Sequence, residues 1–269
     1  TTDRNRTSPF AFTGNKFEFR MPGSDVNLAD CNMILNTAMA KGLKDFADAM
    51  GDVEGAEFEK KAIKYIKKTL TDHQRIIFNG NGYSEEWEEE AKRRGLANNR
   101  NTAEALPCYV SQKAIDLFAE FGVLTEAEVR SRYEVKLEKY NKLLNIEARV
   151  MIRMARRTYL PAISDYMAEL ASNITTVKAA LSGADMTEHE KLLNIILAGF
   201  NRAADCVRTL VKLHDATEAI EDPQEQANAY AEKVIPAMEA LRKEIDDLEC
   251  VVERDFWPVP TYNDMLFYA

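Results

Sequence analysis

Three long apolar stripes constrain the fold of this 269-residue chain more than any other feature. Ile163, Met167, Leu170, Ile174, Val177 and Leu181 are spaced 4-3-4-3-4. Leu193, Ile196, Phe200, Ala203, Val207 and Leu210 are spaced 3-4-3-4-3. Ala227, Ala231, Val234, Met238, Leu241, Ile245, Leu248 and Val252 continue the alternation through seven steps. A helix that repeats apolar residues every three or four positions buries one stripe. Short turns at Ser182–Asp185 and Glu221–Pro223 join the stripes, which predicts an antiparallel bundle with coiled-coil-like packing. Pro161 falls in the long helical run that begins at Thr125, just ahead of the first stripe, and Pro236 falls inside the third. Each should kink its helix, because the ring removes a backbone donor and clashes with the carbonyl four residues back.

Upstream, Thr125 and Glu128 form a capping box that opens the first long helix. Ser111 caps a helix that Gly122 stops. Leu106-Pro107 and Arg75–Tyr83 read as loops, the latter with two Asn-Gly pairs. Asp25 is a plausible cap for a helix in which Leu28, Cys31, Leu35, Ala38, Met39, Gly42, Leu43 and Phe46 make a stripe packed against a core. The start is different. Ser8–Phe12 and Lys16–Met21 read as short strands around a Thr13-Gly14-Asn15 turn, a hairpin pattern. The expected fold is mainly α: a short N-terminal antiparallel β element, then helices, then a long antiparallel helical bundle. The expected divisions are 1–50, 51–125, 126–255 and an aromatic docking tail at 256–269.

Composition narrows the function. The net charge of −9 argues against nucleic-acid binding, which needs a basic field. No apolar run approaches the roughly 18 residues of a membrane span. Cys31, Cys108, Cys206 and Cys250 are scattered, so neither a disulfide framework nor a zinc knuckle is suggested, and a reduced, cytoplasmic protein is the default. The first residues do not read as a signal peptide. His73, His189 and His214 stand apart, against a histidine-based metal site or a Ser–His triad. His214 extends the middle bundle stripe and reads as a satisfied interface histidine. Trp87 and Trp257 read as core or interface anchors, the lysines at 60, 61, 64, 67 and 68 as a solvated face, and Asn79–Gly82 as a turn.

The second strand carries the chemistry. Alternation puts Lys16, Glu18 and Arg20 on one face and Phe17, Phe19 and Met21 on the other, which should enter a core. A carboxylate flanked by two cations suits a site where Glu18 holds a hard divalent cation and its neighbours hold phosphate oxygens. A solvated strand face with surface ion pairs stays open as the alternative.

The segment Asn5–Ser24 closely resembles a late catalytic segment of type III glutamine synthetases. Arg75–Tyr83, Leu106-Pro107, Phe121–Glu126, Leu144–Ala148 and Phe256–Tyr262 resemble the C-terminal portion of the same family, in order along the whole chain. The resemblance implies ATP-dependent ligation of glutamate and ammonia through γ-glutamyl phosphate. It implies that Arg6 contacts ATP phosphates or the phosphoryl group, and that Lys16 lies near the nucleotide. Glu18 would ligate Mg²⁺ or Mn²⁺, and Arg20 would bind glutamate or the acyl phosphate. It implies a cytoplasmic ring-shaped homo-oligomer, a dodecamer in the full-length enzyme, with no nucleic-acid or membrane partner. The family's upstream glutamate ligands, metal-binding histidine and N-terminal β-grasp domain have no counterpart here, so the chain alone is expected to be inactive. A non-catalytic acidic helical-bundle module for interaction or oligomerisation is the competing reading.

Overall fold

The computed structural model describes residues 10–12, 16–19, 26–78, 82 and 84–266. They divide into two compact units, one from residues within 1–100 and 107–131, the other from 101–106 and from 132 onward. Among the described residues the fold is mainly α, with one short antiparallel pair of strands. None of its described helices is long and apolar enough to cross a membrane.

The first unit opens on strands β1 (Phe10–Phe12) and β2 (Phe17–Phe19), which pair antiparallel. Helix α1 (Leu28–Met50) follows, capped by Asn27, whose side chain accepts from the Ala29 N–H at 2.8 Å. Asp25 lies outside the described residues. Gly51 ends α1 with φ +60°, a conformation in which a Cβ is strained. Helix α2 (Gly55–Asp72) folds back, and Phe46 meets Phe58 and Tyr65 edge-on, at 6.3 and 5.4 Å between centroids. Lys41 and Lys44 tie α1 to Glu120 of α5 (Gln112–Glu120). Lys61 is no idle surface cation: its ammonium caps the Met50 carbonyl at 2.8 Å.

The expectation that the α1 stripe packs against a core is corrected here. Thr37 and Met50 are the buried residues of α1, α2 buries none, and Leu28, Leu43, Ile63 and Ile66 are exposed. Periodicity marks which face is apolar; it does not supply the element that covers it.

Just past α3 (Glu85–Arg93), Arg94 fastens the described residues that follow α2. Arg94 lies beside the stacked rings of Phe78 and Trp87, whose centroids are 4.1 Å apart. Its guanidinium donates to the carbonyls of Ile77 (2.7 Å) and Arg75 (3.2 Å) and to Glu90 (2.5 Å). Gln74–Ile76, which overlaps the start of the loop expected at Arg75–Tyr83, forms a 3₁₀ turn, and Leu106–Val110 forms another. Ser111 caps α5, Gly122 adopts φ +60°, and Thr125 and Glu128 exchange the two bonds of a capping box.

The second unit is the bundle. It contains α4 (Thr102–Ala105) and most of α6 (Glu126–Met154), followed by α7 (Leu160–Ala180) and α8 (Thr187–Glu218). Then come α9 (Pro223–Ala229), α10 (Ile235–Glu249) and α11 (Tyr262–Leu266). Helices α8 and α10 are antiparallel: Gly199 meets Leu248, and Arg202 meets Glu244 at 2.8 Å. Ile163, Leu170, Ile196, Ala203, Val207, Leu210, Val234, Leu241, Ile245 and Leu248 form the core, as the three stripes require.

Neither proline produces a simple break. A π turn precedes each one, Ala155–Tyr159 before Pro161 and Tyr230–Val234 before Pro236. The Leu160 N–H reaches back five residues to the Ala155 carbonyl, and the Ile235 N–H to that of Tyr230. Past each π turn the chain stays helical, with the proline in the first turn of the following α segment. The tail docks on its own bundle: Trp257 is buried against Tyr159, with ring centroids 5.3 Å apart, and Phe256 lies against Tyr166.

Candidate functional site

Hairpin register places Glu18 opposite Ala11, with Phe17 opposite Phe12 and Phe19 opposite Phe10. Lys16 and Glu18 share one face as alternation requires, and the Lys16 ammonium lies 3.8 Å from Glu18 Oε1. The carboxylate side chain is 31% exposed and the lysine 67%. Such a pair contributes at most about 1 kcal/mol. Its interest is chemical: it is a carboxylate with a cation held beside it. Arg6 and Arg20 lie outside the described residues.

The opposite face differs from expectation. Phe17 is 48% and Phe19 39% exposed, so this face does not enter a core. Two three-residue strands are too little sheet to bury a face by themselves.

A Mg²⁺ or Mn²⁺ ion prefers six oxygens in near-octahedral array. Among the described residues no cluster of three ligating side chains includes Glu18. One carboxylate beside an ammonium does not make such a site, so these residues do not fit the ion on their own.

A second constellation was not recognised as a group in the sequence. It sits at the C-terminal end of α8, where His214, Asp215 and Glu218 bring one donor atom each within 4.8 Å of the others. His214 is 4% exposed, with Nδ1 3.2 Å from Asp215 Oδ1. Its Nε2 is buried with no partner among the described residues, which corrects the reading of a satisfied histidine. Glu218 accepts from Asn145 Nδ2 at 3.0 Å, and the same amide reaches the Tyr230 hydroxyl at 3.2 Å. Burial is the main cause that pushes the Tyr230 phenol above its ordinary range, and Glu218 adds to it. The i, i+4 spacing of His214 and Glu218 was the sequence signal.

The bundle also holds an apolar groove of about 620 Å³, walled by Met151, Met154, Met238 and Trp257 and edged by Glu147 and Glu249.

Residues 61–178 match the family model for the glutamine synthetase C-terminal domain. Over 99% of its length the chain is 36% identical to a glutamine synthetase of Bacteroides fragilis (strain YCH46). It is 36% identical, over the same share, to the type-3 glutamine synthetase of Dictyostelium discoideum. A glutamine synthetase of Butyrivibrio fibrisolvens is likewise 36% identical. The chain spans 37% of the first two relatives and 38% of the third. Similarity over 99% of its length means that the chain belongs to the glutamine synthetase family and carries its C-terminal domain.

Proposed function

We propose that this chain works as the C-terminal part of an ATP-dependent glutamate–ammonia ligase. In that reaction the glutamate side-chain carboxylate takes the γ-phosphoryl group of ATP, and ammonia then displaces phosphate to leave the amide. The observation that carries the reading is the similarity to glutamine synthetases over 99% of the chain, hairpin included.

The strand face has the right chemistry for its share of the work. Phosphoryl transfer needs positioning and charge neutralisation more than covalent help. Arg6 contacts the phosphoryl group in transfer and Lys16 the nucleotide. Arg20 grips glutamate or the acyl phosphate with its planar fork, which a lysine does not reproduce. Glu18 would provide one oxygen ligand for the divalent cation only alongside further ligands from the rest of the enzyme. A single carboxylate is too few for the ions the reaction uses, so the isolated chain is inactive. The working enzyme is a ring-shaped cytoplasmic homo-oligomer, a dodecamer when complete.

Exposed Phe17 and Phe19 favour one other reading, a non-catalytic bundle used for interaction or oligomerisation. A graft separates the two. Residues 1–269 replace the aligned C-terminal segment of the Bacteroides fragilis relative, and glutamine formation from glutamate, ammonia and ATP is assayed. The ligase reading expects turnover in the graft and none from the chain alone. A soluble, assembled graft without turnover would leave the interaction module standing. Turnover by the chain alone would refute its inactivity.

A further inference from the structure

We propose that the end of α8 is a binding site for a divalent d-block cation of the zinc type, held by His214, Asp215 and Glu218. The site lies within the bundle unit and shares no residue with the hairpin.

The separation between ligand atoms is the first argument. His214 Nδ1 and Asp215 Oδ1 are 3.2 Å apart. A charge-assisted hydrogen bond is usually shorter, about 2.7–2.9 Å. Two ligands on a tetrahedral zinc ion, with arms of about 2.0–2.1 Å, sit about 3.3 Å apart. Glu218 is one turn below His214 on the same helix face, and its side chain is half exposed, so its carboxylate is able to close the last distance. Three protein ligands leave a coordination position for water, the pattern of an open zinc site.

The surroundings give the second argument. The backbone at the C-terminal end of a helix is electronegative and favours cations. Helix α8, 32 residues long, nonetheless has no basic residue in its last turn. Asp215 and Glu218 stand there instead, an arrangement that a bound cation would relieve. Asn145 donates to Glu218 at 3.0 Å and orients it, the role that outer partners of metal ligands commonly have. Imidazole with carboxylates suits zinc-type ions better than Mg²⁺ or Ca²⁺. One group opposes the ion: the Arg149 guanidinium, 3.9 Å from Glu218 Oε1. Its removal should therefore strengthen binding, which no purely structural role for the cluster would produce.

The test is a titration of the metal-free 269-residue chain with Co²⁺, followed by visible absorption, and with Zn²⁺, followed by calorimetry. The expected result is one equivalent bound, with a Co²⁺ band of four- or five-coordinate intensity. His214→Gln and Glu218→Gln should each weaken binding more than about tenfold, Asn145→Ala by about tenfold, and Arg149→Met should tighten it. Glu218 is at the exposed end of its helix, so Glu218→Gln carries the test even if His214→Gln fails to fold. No saturable binding, or binding that Glu218→Gln leaves unchanged, overturns the proposal; the latter would place the ion elsewhere, for example on a cysteine.

Discussion

Gly199 of α8 lies so close to Leu248 of α10 that a Cβ on the glycine would come within 2.8 Å of the leucine Cδ2 and 3.2 Å of its Cγ. The contact sits in the centre of the bundle, and Leu248 is itself buried. Gly199→Ala gains about 1 kcal/mol of helix propensity and loses about 1–3 kcal/mol to overpacking. The second effect should win, because Leu248 is buried in the core cluster, and a χ1 turn that withdraws its Cγ would drive its methyls into neighbouring side chains. Urea unfolding should show a net loss of about 1 kcal/mol. Adding Leu248→Ala, which alone costs about 2–5 kcal/mol, should give a double variant more stable than the sum of the two losses. Simple additivity would mean that the two positions do not oppose each other.

Trp257 is the anchor of the tail. It is 8% exposed, stacks obliquely on Tyr159, and belongs to the bundle core. Trp257→Ala should cost about 3–5 kcal/mol, as large-to-small core substitutions do. Trp257→Phe should recover most of that, since the indole N–H has no acceptor among the described residues and nothing is lost with it. Thermal unfolding of the two variants distinguishes an anchor from a passive lid. Equal melting temperatures for parent and Trp257→Ala would refute it.

Glu90 makes stability sensitive to acid. Hydrogen bonds from Arg93 first and Arg94 second hold its carboxyl at about 2, against an ordinary 4.5. A carboxylate whose pKa is depressed in the fold stabilises it above the unfolded value and loses that contribution as pH falls. The loss should therefore run from about pH 4.5 down to about pH 2. In Glu90→Gln that part of the acid limb should flatten, and the loop at 75–78 should become protease-sensitive, because Arg94 loses the partner that fixes it. Thermal melts across this window, with limited proteolysis at neutral pH, provide the check.

Much of this architecture is written locally. The three stripes name their own core, and Thr125 with Glu128 names its own helix start. The prolines were legible as positions, but the π turn before each was not, because nothing in the local pattern marks a five-residue hydrogen bond. Gly199 looks unremarkable in sequence because its meaning lies 49 positions away, in Leu248. The α1 stripe was legible as a face, while its covering was not, since periodicity says nothing about what lies opposite. Lys16 and Glu18 share a face through strand alternation alone. The His214 cluster was half legible, through i, i+4 spacing, but Asn145 reaches Glu218 only because the bundle folds α6 back onto α8.

The strand face yields the sharpest functional test, in the grafted enzyme described above. Glu18→Gln keeps the shape and removes the charge, so it should cut turnover by about 10²-fold or more, as loss of one electrostatic group at a transition state does. Added Mn²⁺ should restore part of it if the lost group is a metal ligand, and none if it is not. Arg20→Lys keeps the charge and loses the fork. It should mainly raise the KM for glutamate, with a smaller loss in kcat, because bidentate carboxylate binding is what a lysine does not replace. Phe17→Ser, on the opposite face, should leave both constants alone unless that face is buried in the assembled enzyme, in which case the oligomer and not the chemistry should fail. Full turnover in Glu18→Gln would remove the chemical basis for placing this strand in the active site, however close the family resemblance.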